Sequence, residues 1–351
     1  MNVILYSIPF FILAMVIEFY YSRAKNLPYY RLNDSLSNLG AGLFQQALAF
    51  IPAALVLAAY PVVYDNWSLS FFKGKNDLLT YAICLVLVDF LYYWAHRMYH
   101  RTGLGWTGHI VHHQSEEYNL SVALRQSWLQ GFHGIPFLIV PAFLGFDAVV
   151  ALTCSAINTV YQFWIHTKAI DKCPRWFEAI FNTPSHHRVH HGRNPQYIDK
   201  NYAGSLMIWD RLFGTFEPEK EEVVYGITQP TQSWNPLVAQ FGPWAQLIKK
   251  GRGKGFWLNV KYNIMPPGWN EVDGDQVPAF IPREKYDPQV STSRKRLSFG
   301  AFSVSLILLL ALMLMGQEQV TAVHVVLVAS IIGLLLYSGW CLEPSTQDKS
   351  S

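Results

Sequence analysis

Five apolar runs along the chain are long enough to cross a bilayer, and polar or mixed stretches separate them. A helix that spans the hydrocarbon core needs about 20 mostly apolar residues. The runs cover residues 3–21, 36–63, 78–94, 299–315 and 321–341, and the second is long enough to span with tilt. A short polar turn at residues 316–319 separates the last two. This pattern predicts an all-α, polytopic integral membrane bundle.

A sixth apolar stretch, residues 135–165, is too short to form two full spans. Two spans would need about 40 residues at 1.5 Å per residue. The sequence Gly145-Phe146-Asp147 in its middle is typical of a turn. We therefore expect a helical hairpin that need not cross the whole bilayer.

The stretch from residue 167 to residue 297 is polar and rich in Pro and Gly, and it contains no apolar run of 18 residues. It is predicted to cap the membrane helices. The sequence GRGKG at residues 251–255 lacks the spacing of a phosphate-binding loop and is predicted to be a basic surface loop. The chain thus divides into N-terminal membrane helices (1–77), a central part with membrane helices and cap (78–297), and a C-terminal helix pair with its tail (298–351).

Composition supports a membrane protein and excludes two other classes. Of the 351 residues 51% are hydrophobic and only 15% are charged, against about 25% charged in an average soluble domain. Disordered chains need high net charge and low hydrophobicity. A net charge of +3 is too small to indicate a nucleic-acid partner.

Positive charge predicts the orientation, because loops rich in Lys and Arg stay on the cytoplasmic side. Three cations follow the first span and three precede the fourth, which places both stretches and the cap in the cytoplasm and the N-terminus outside. Lys73 and Lys75 fall on the opposite side in this arrangement. The three cations after the first span are Arg23, Lys25 and Arg31, and the three before the fourth are Arg294, Lys295 and Arg296.

Eight of the 12 histidines fall into three short motifs, the first of which directly follows the third span. Residues three and four apart share one face of a helix, so each motif is expected to aim its imidazoles at one point. Imidazole suits Zn, Cu, Fe and Ni, and eight ligands exceed the four of one zinc site. The motifs predict a dinuclear metal site in the cap. They are His96 and His100; His109, His112 and His113; and His187, His190 and His191.

Two further histidines, His166 and His186, are predicted to complete the ligand set, although either could instead hydrogen-bond to a ligand. His133 and His324 have no histidine neighbours and are predicted to be isolated packed or interfacial residues. Metal-bound histidines usually donate their other N–H to a carboxylate or carbonyl. Candidates for that supporting role, each also plausible as a helix cap or surface charge, are Asp89, Gln162, Asp199, Asp210, Glu116 and Glu117.

The three motifs behind membrane helices resemble the fatty acid hydroxylase/sterol desaturase superfamily. Longer strings, NTPSHHRVHHGRN at 182–194 and IDKNYAGSLMIWDRLFGTF at 198–216, resemble a subgroup that cleaves alkylglycerol ethers. The resemblance covers residues 80–220 and makes 78–297 the catalytic domain. It implies two iron ions held by the ten histidines, whereas spacing alone would also permit zinc.

The resemblance also implies the reaction. O₂ and electrons hydroxylate the carbon next to the ether oxygen of a membrane lipid, and the hemiacetal collapses to a fatty aldehyde and a glycerol derivative. The chain contains no dinucleotide-binding fingerprint, so an external donor is expected, either tetrahydrobiopterin or an electron-transfer protein. Alternatives are hydroxylation or desaturation of a sterol or acyl chain, a metal transporter, and a zinc hydrolase.

Overall fold

The described residues of the computed structural model (3–277, 279–315 and 321–344) form fourteen α-helices, two 3₁₀ turns and two isolated β-bridges, with no strand among them. The predicted turn at 316–319 and the tail from residue 345 lie outside the described residues. The all-α prediction is confirmed. The helices are α1 Val3–Ala24, α2 Leu32–Leu48, α3 Phe50–Asn66, α4 Leu78–Arg101, α5 Gly103–His113, α6 Gln130–Leu144, α7 Ala148–Tyr161, α8 Arg175–Ile180, α9 Pro184–His190, α10 Ile208–Leu212, α11 Pro236–Gly251, α12 Phe256–Ile264, α13 Thr292–Leu314 and α14 Ala322–Leu342.

Four of the described helices (α1, α4, α13 and α14) are individually long and apolar enough to span a membrane. The run at 36–63 was expected to be one helix, and the structure corrects this: α2 and α3 meet at a 45° bend. Pro52 explains the break, because it has no N–H for the carbonyl of Leu48 and its ring crowds that carbonyl. The chain turns there through a bond from the Ala49 N–H to the Gln46 carbonyl (3.2 Å). Together α2 and α3 could form a fifth, broken span.

The predicted hairpin is formed by α6 and α7. Gly145 ends α6 in the left-handed region (φ +90°), which glycine adopts without strain. Asp147 then begins α7 by accepting a bond from the Val149 N–H (2.8 Å). The two helices have 15 and 14 residues, about 22 Å and 21 Å at 1.5 Å per residue, against a hydrocarbon core of about 30 Å.

Two apolar cores hold the helices together. The first lies between α2, α13 and α14 and includes Phe44, Phe302 and Ile331. The second lies between α3, α4, α6 and α7 and includes Cys84 and Phe146. Because α4 is fixed by the second core, its last turns project from the bundle at a defined place.

Several helix ends meet on one side of the bundle, where the cap is tied to them. Arg294, at the start of α13, donates to the carbonyl of Glu343 just after α14 (2.8 Å). Tyr286 Oη donates to the Glu343 carboxylate (2.8 Å). Arg31, just before α2, donates to the Tyr286 carbonyl (3.4 Å). The end of α4 also contacts the cap, since Arg101 pairs with Asp275 (2.8 Å). The cap therefore lies against the ends of these helices.

Gly42 of α2 makes a close approach that a methyl group would disrupt. A Cβ there would lie 2.3 Å from the carbonyl oxygen of Leu124, at the end of the 3₁₀ turn 120–124. We expect Gly42→Ala to lower the free energy of unfolding by about 1–3 kcal/mol, because backbone must move to relieve the overlap. Thermal unfolding in detergent measures this.

Gly40, two residues earlier in the same helix, provides the matched control. A Cβ at that position would lie 3.5 Å from Leu335 Cδ2, an ordinary contact, and alanine favours a helix by up to about 1 kcal/mol. Gly40→Ala should therefore be neutral or stabilising. Equal effects of the two substitutions would contradict the close approach at Gly42.

Candidate metal centre

The first two histidine motifs are brought together by the junction of α4 and α5. His96 and His100 lie in the last two turns of α4. Thr102 ends that helix in an extended conformation, and its hydroxyl accepts a bond from the Gly105 N–H (3.0 Å), which starts α5. The short connection folds α5 against α4 and turns its histidines toward those of α4.

Nine of the ten predicted ligands converge in two groups, within each of which the candidate ligand nitrogens lie within 4.8 Å of one another. All nine side chains are buried, at most 7% exposed. The five-histidine group is His96, His100, His109, His113 and His190; the four-histidine group is His112, His166, His187 and His191.

The second and third motifs divide between the two groups, so the expectation that each motif aims at one point is wrong for them. In α5, His109 and His113 join the five-histidine group and His112 the other. In the third motif, His187 and His191 belong to the four-histidine group and His190 to the other. Successive residues of a helix point about 100° apart. Adjacent histidines therefore serve neighbouring sites, and the rings of His113 and His191 lie 4.4 Å apart.

Hydrogen bonds to carbonyl groups fix the tautomers of several ligands. A carbonyl can only accept, so an Nδ1 that faces one must carry the proton, which leaves Nε2 with a free lone pair. His96 Nδ1 donates to the Tyr202 carbonyl (2.8 Å) and His112 Nδ1 to that of Arg125 (2.9 Å). His166 Nδ1 donates to the Gln162 carbonyl (2.7 Å) and His190 Nδ1 to that of Lys200 (3.0 Å).

This arrangement leaves lone pairs facing one another. The Nε2 atoms of His112 and His166 lie 3.1 Å apart, and neither carries a proton in the tautomer fixed by its carbonyl partner. His96 Nε2 lies 2.9 Å from His109 Nε2, and the Nδ1 of His109 lies 3.2 Å from Gln130 Oε1. Two facing acceptors repel unless a cation lies between them.

The separations also fit a shared ion. Neighbouring ligands at right angles, each about 2.1 Å from one ion, lie about 3.0 Å apart. The Nε2 atoms of His166 and His187 are 3.0 Å apart, and those of His109 and His113 are 3.1 Å apart. In addition, the Nε2 atoms of His100, His190 and His191 are buried without a hydrogen-bond partner. A metal ion in each group would satisfy these nitrogens.

Burial keeps seven of the nine imidazoles in the two groups neutral. It lowers the pKa of His109, His113, His166, His187, His190 and His191 well below 6.5, and neighbouring imidazoles lower it further. Burial likewise lowers the pKa of His112 to about 4. Neutral imidazole is the form that binds metals.

These pKa values predict acid lability of the metal-free protein. Below pH 6.5 the unfolded chain binds protons that the folded chain does not, so stability is lost as the pH falls. Each of the seven imidazoles should contribute to this loss between about pH 7.5 and pH 5.5, on either side of the pKa of an unfolded histidine. We expect the unfolding midpoint to drop steeply over this range, as scanning calorimetry of chelator-treated protein would measure.

A His109→Asn variant should show a smaller drop, since it removes one titrating group. A wild-type midpoint that did not move between these two pH values would show that the histidines are not held neutral.

The tenth predicted ligand, His186, lies outside both groups. Its Nδ1 lies 3.3 Å from Thr183 Oγ1, and its ring packs against Phe216. Burial lowers the pKa of His186 to about 4. Neither His133 nor His324 belongs to either group; His324 bonds to Thr321 Oγ1 (2.7 Å) at the start of α14.

Asp89 and Gln162 support the four-histidine group through a series of hydrogen bonds. The Asp89 carboxylate accepts from Asn158 Nδ2 (2.5 Å), the N–H groups of Ser205 (2.7 Å) and Leu206 (3.1 Å), and Trp209 Nε1 (2.9 Å). Asn158 Oδ1 in turn accepts from Gln162 Nε2 (2.8 Å), and the Gln162 carbonyl holds His166. A chain of hydrogen bonds therefore runs from α4 to the four-histidine group.

Asp210 and Asp199 act on the five-histidine group. Asp210 accepts from the N–H groups of Tyr202 and Ala203 (2.8 Å each), which fixes the Tyr202 carbonyl that holds His96. Burial raises the pKa of Asp210 to about 6. Asp199 Oδ1 lies 3.7 Å from His100 Nδ1, and Asp199 also binds Arg101.

Glu116 and Glu117 belong to neither histidine group. They form ion pairs with the segment that precedes α13. Glu116 pairs with Arg283 (3.5 Å) and Glu117 with Lys285 (2.5 Å). They tie the region after α5 to the segment before α13.

Sequence reasoning missed Arg125, Gln130 and Tyr202. Arg125 is buried, donates to the Val111 carbonyl (2.6 Å) and offers its own carbonyl to His112. Burial lowers the pKa of Arg125 to about 10, so it stays charged at neutral pH. The available signal for Arg125 was that it is the one charged residue between Glu117 and Asp147. Nothing in the sequence points to backbone carbonyls.

Comparison with known proteins agrees with this geometry. A model of the fatty acid hydroxylase family matches residues 81–215. The chain is 38% identical to alkylglycerol monooxygenase of Xenopus tropicalis (80% of this chain, 64% of that protein) and 44% identical to that of Homo sapiens (77% and 63%). It is 40% identical to that of Danio rerio (74% and 58%). The chain thus spans less than two thirds of the length of these relatives.

No solved structure matches the chain. The matched residues 81–215 contain all three histidine motifs and His166, which confirms the resemblance drawn from them. Several span-length apolar helices surround this segment, so the chain is an integral membrane protein. Residues 81–215 thus form a fatty acid hydroxylase domain, by their match to the model of that family.

Proposed function

We propose that the chain is an O₂-dependent lipid monooxygenase with two iron ions, and that its substrate is an alkylglycerol ether. The observation that carries the proposal is the facing lone pairs of His112 and His166, repeated at His96 and His109, in two adjacent groups. The relatives that share 38–44% identity are alkylglycerol monooxygenases, which favours the ether over a sterol or acyl chain.

The proposed ligands are the nine histidines of the two groups. His186 is better suited to a structural role in the third motif, because it bonds to Thr183 instead of facing the other imidazoles. Bound iron would supply the activation of O₂ for insertion into a C–H bond. Groups of buried neutral imidazoles suit iron and zinc alike, so iron content is part of the test.

The protein's own residues hold and insulate the site. The carbonyls of Tyr202, Arg125 and Gln162 fix the ring orientations through Nδ1–H, which raises the basicity of Nε2. Tyr118 closes the four-histidine group: its ring stacks on His166 (5.9 Å) and its hydroxyl donates to the Ile165 carbonyl (3.1 Å). Burial excludes water from the reacting centre.

The proposed reaction inserts one atom of O₂ into a C–H bond of the lipid. O₂, two electrons and two protons convert the carbon next to the ether oxygen into a hemiacetal, with one oxygen atom leaving as water. The hemiacetal C–O bond to glycerol then breaks, and its hydroxyl proton goes to the departing oxygen. The products are a fatty aldehyde and a glycerol derivative. The two electrons come from an external donor, for which we propose a reduced pterin.

We also propose that the site faces the cytoplasm. The cations after α1 and at the start of α13 lie on the side of the cap: Arg31 pairs with Glu117, just after α5 (3.3 Å), and bonds to the Tyr286 carbonyl, and Arg294 bonds to the Glu343 carbonyl. Short loops rich in Lys and Arg remain cytoplasmic.

The decisive experiment combines metal analysis with a product assay. The protein is purified anaerobically, its iron and zinc are counted, and it is incubated with an alkylglycerol, reduced pterin and O₂. About two irons per chain and release of fatty aldehyde, seen by mass spectrometry, would support the proposal.

Each rival function predicts a different outcome. Turnover of a sterol or acyl lipid without aldehyde release would replace the ether assignment. Activity of zinc-only protein without O₂ would indicate a hydrolase. Protein in vesicles that moved metal ions across the bilayer without consuming O₂ would indicate a transporter.

A further inference from the structure

The helix pair α11–α12 exposes large apolar side chains although neither helix is a candidate span. Trp244 and Ile248 lie one turn apart on α11 and are 39% and 60% exposed. Phe256, Trp257 and Ile264 of α12 are 71%, 76% and 59% exposed. We refer to these five residues and the loop 251–255 as the α11–α12 surface. A group of large exposed apolar side chains on one surface is typical of a site that contacts a membrane or another protein.

The charge of this region has one sign. Residues 236–264 contain five Lys and Arg and no Asp or Glu. Two of the cations have partners: Lys250 donates to the Trp269 carbonyl (2.5 Å), and Lys254 pairs with Glu271. Among the described residues no carboxylate pairs with the other three, which are Lys249, Arg252 and Lys261.

Both ends of the helix pair are fastened to the ends of membrane helices. Just before α11, the Trp234 N–H donates to the Glu343 carboxylate (2.6 Å), one residue beyond α14. Just after α12, the Met265 carbonyl accepts from the Gly103 N–H (2.8 Å), two residues beyond α4. The end of a membrane-spanning helix lies at the membrane surface. Because α11–α12 is bonded to two such ends, the helix pair lies at the membrane surface as well.

A cleft of about 360 Å³ opens between the two helices. Its lining combines apolar and polar side chains, among them Trp244, Leu247, Ile248, Arg252, Lys254 and Asn259. Such a lining suits a phosphodiester group with the start of its acyl chains, since Arg and Lys bind phosphate oxygens.

We propose that the α11–α12 surface lies in the membrane interface and binds anionic phospholipid head groups. The apolar side chains enter the upper acyl region, and Lys249, Arg252 and Lys261 contact the phosphates. Interfacial amphipathic helices combine these two features, and each cation near an anionic surface contributes about 1 kcal/mol. The proposal does not depend on the chemistry at the histidines.

The test is photo-crosslinking in lipid nanodiscs. The full chain is reconstituted in phosphatidylcholine that contains a trace of diazirine-labelled phosphatidylglycerol or, separately, diazirine-labelled phosphatidylcholine. Peptides from residues 236–264 are then scored for lipid adducts by mass spectrometry. We expect adducts from both lipids and at least about fivefold more from phosphatidylglycerol, which is about 1 kcal/mol of preference.

Three double substitutions separate the contributions of the cations and of the apolar side chains. Arg252→Gln with Lys261→Gln should reduce the preference for phosphatidylglycerol severalfold, whereas Lys73→Gln with Lys75→Gln, exposed at the opposite ends of the spans, should leave it unchanged. Phe256→Ser with Trp257→Ser should reduce adducts from both lipids. Absence of adducts from both lipids, or equal labelling by both, would overturn the proposal.

Discussion

Replacement of His112 by alanine should remove iron and activity together. His112 belongs to the four-histidine group, where its Nε2 lies 3.1 Å from that of His166. Its loss leaves three imidazoles in that group, and the adjacent His113 cannot compensate because it points to the other group. We expect iron to fall from about two to about one or fewer per chain, and aldehyde formation to fall by about 100-fold or more.

Two other histidine variants control this experiment. His324→Gln changes a histidine at the start of α14, and it should retain wild-type iron. His186→Ala changes the histidine next to the third motif that bonds to Thr183, and it should retain most of the iron. Normal iron content in His112→Ala would remove His112 from the ligand set. Loss of both irons in His186→Ala would restore that residue to it.

The membrane helices could be predicted from apolar run length, because every described span must bury its backbone polar groups within itself. The bend between α2 and α3 was missed. Pro52 was visible in the sequence, but a proline in an apolar run can either kink a helix or be accommodated by its neighbours. The packing of α3 against α6 and of α2 against α14 decides the outcome.

The three motifs located the histidines that could hold metal, but not their division into two groups. The adjacent pairs His112-His113 and His190-His191 are a local sign of two directions. Which imidazoles share a group depends on how the third motif docks against α5, a tertiary contact with no local signal. The same applies to His166 and His186. His166 follows the apolar hairpin and joins the four-histidine group, whereas His186 lies within the densest histidine cluster of the sequence and faces Thr183.

The groups that orient the imidazoles were the least predictable part. A carboxylate partner can be sought in the sequence, and Asp89 and Asp210 were found in this way. Both act through intermediates and contact no ligand ring directly. The direct partners of His96, His112, His166 and His190 are backbone carbonyls, which every residue possesses.

Asp89→Ala should weaken both the fold and the metal site. The carboxylate is 1% exposed and accepts four hydrogen bonds, which join α4 to Asn158 and to the segment 205–209. Alanine removes the acceptor of four donors, of which that of Asn158 is buried and the other three are partly buried, at a cost of about 3–5 kcal/mol. Release of Asn158 also frees Gln162 and, through it, His166. We expect iron to be stripped at about 10- to 100-fold lower chelator concentration.

Asp89→Asn distinguishes lost packing from lost acceptors. Asparagine keeps the shape and one oxygen, but its amide group would face donors, so its effects should lie between those of wild type and alanine. Trp209→Phe removes a single donor, and it should lower stability without a comparable loss of iron, because Trp209 lies outside the path from Asp89 to His166. If Asp89→Ala unfolded at the wild-type temperature and released iron at the wild-type chelator concentration, the connection from α4 to the four-histidine group would have no energetic role.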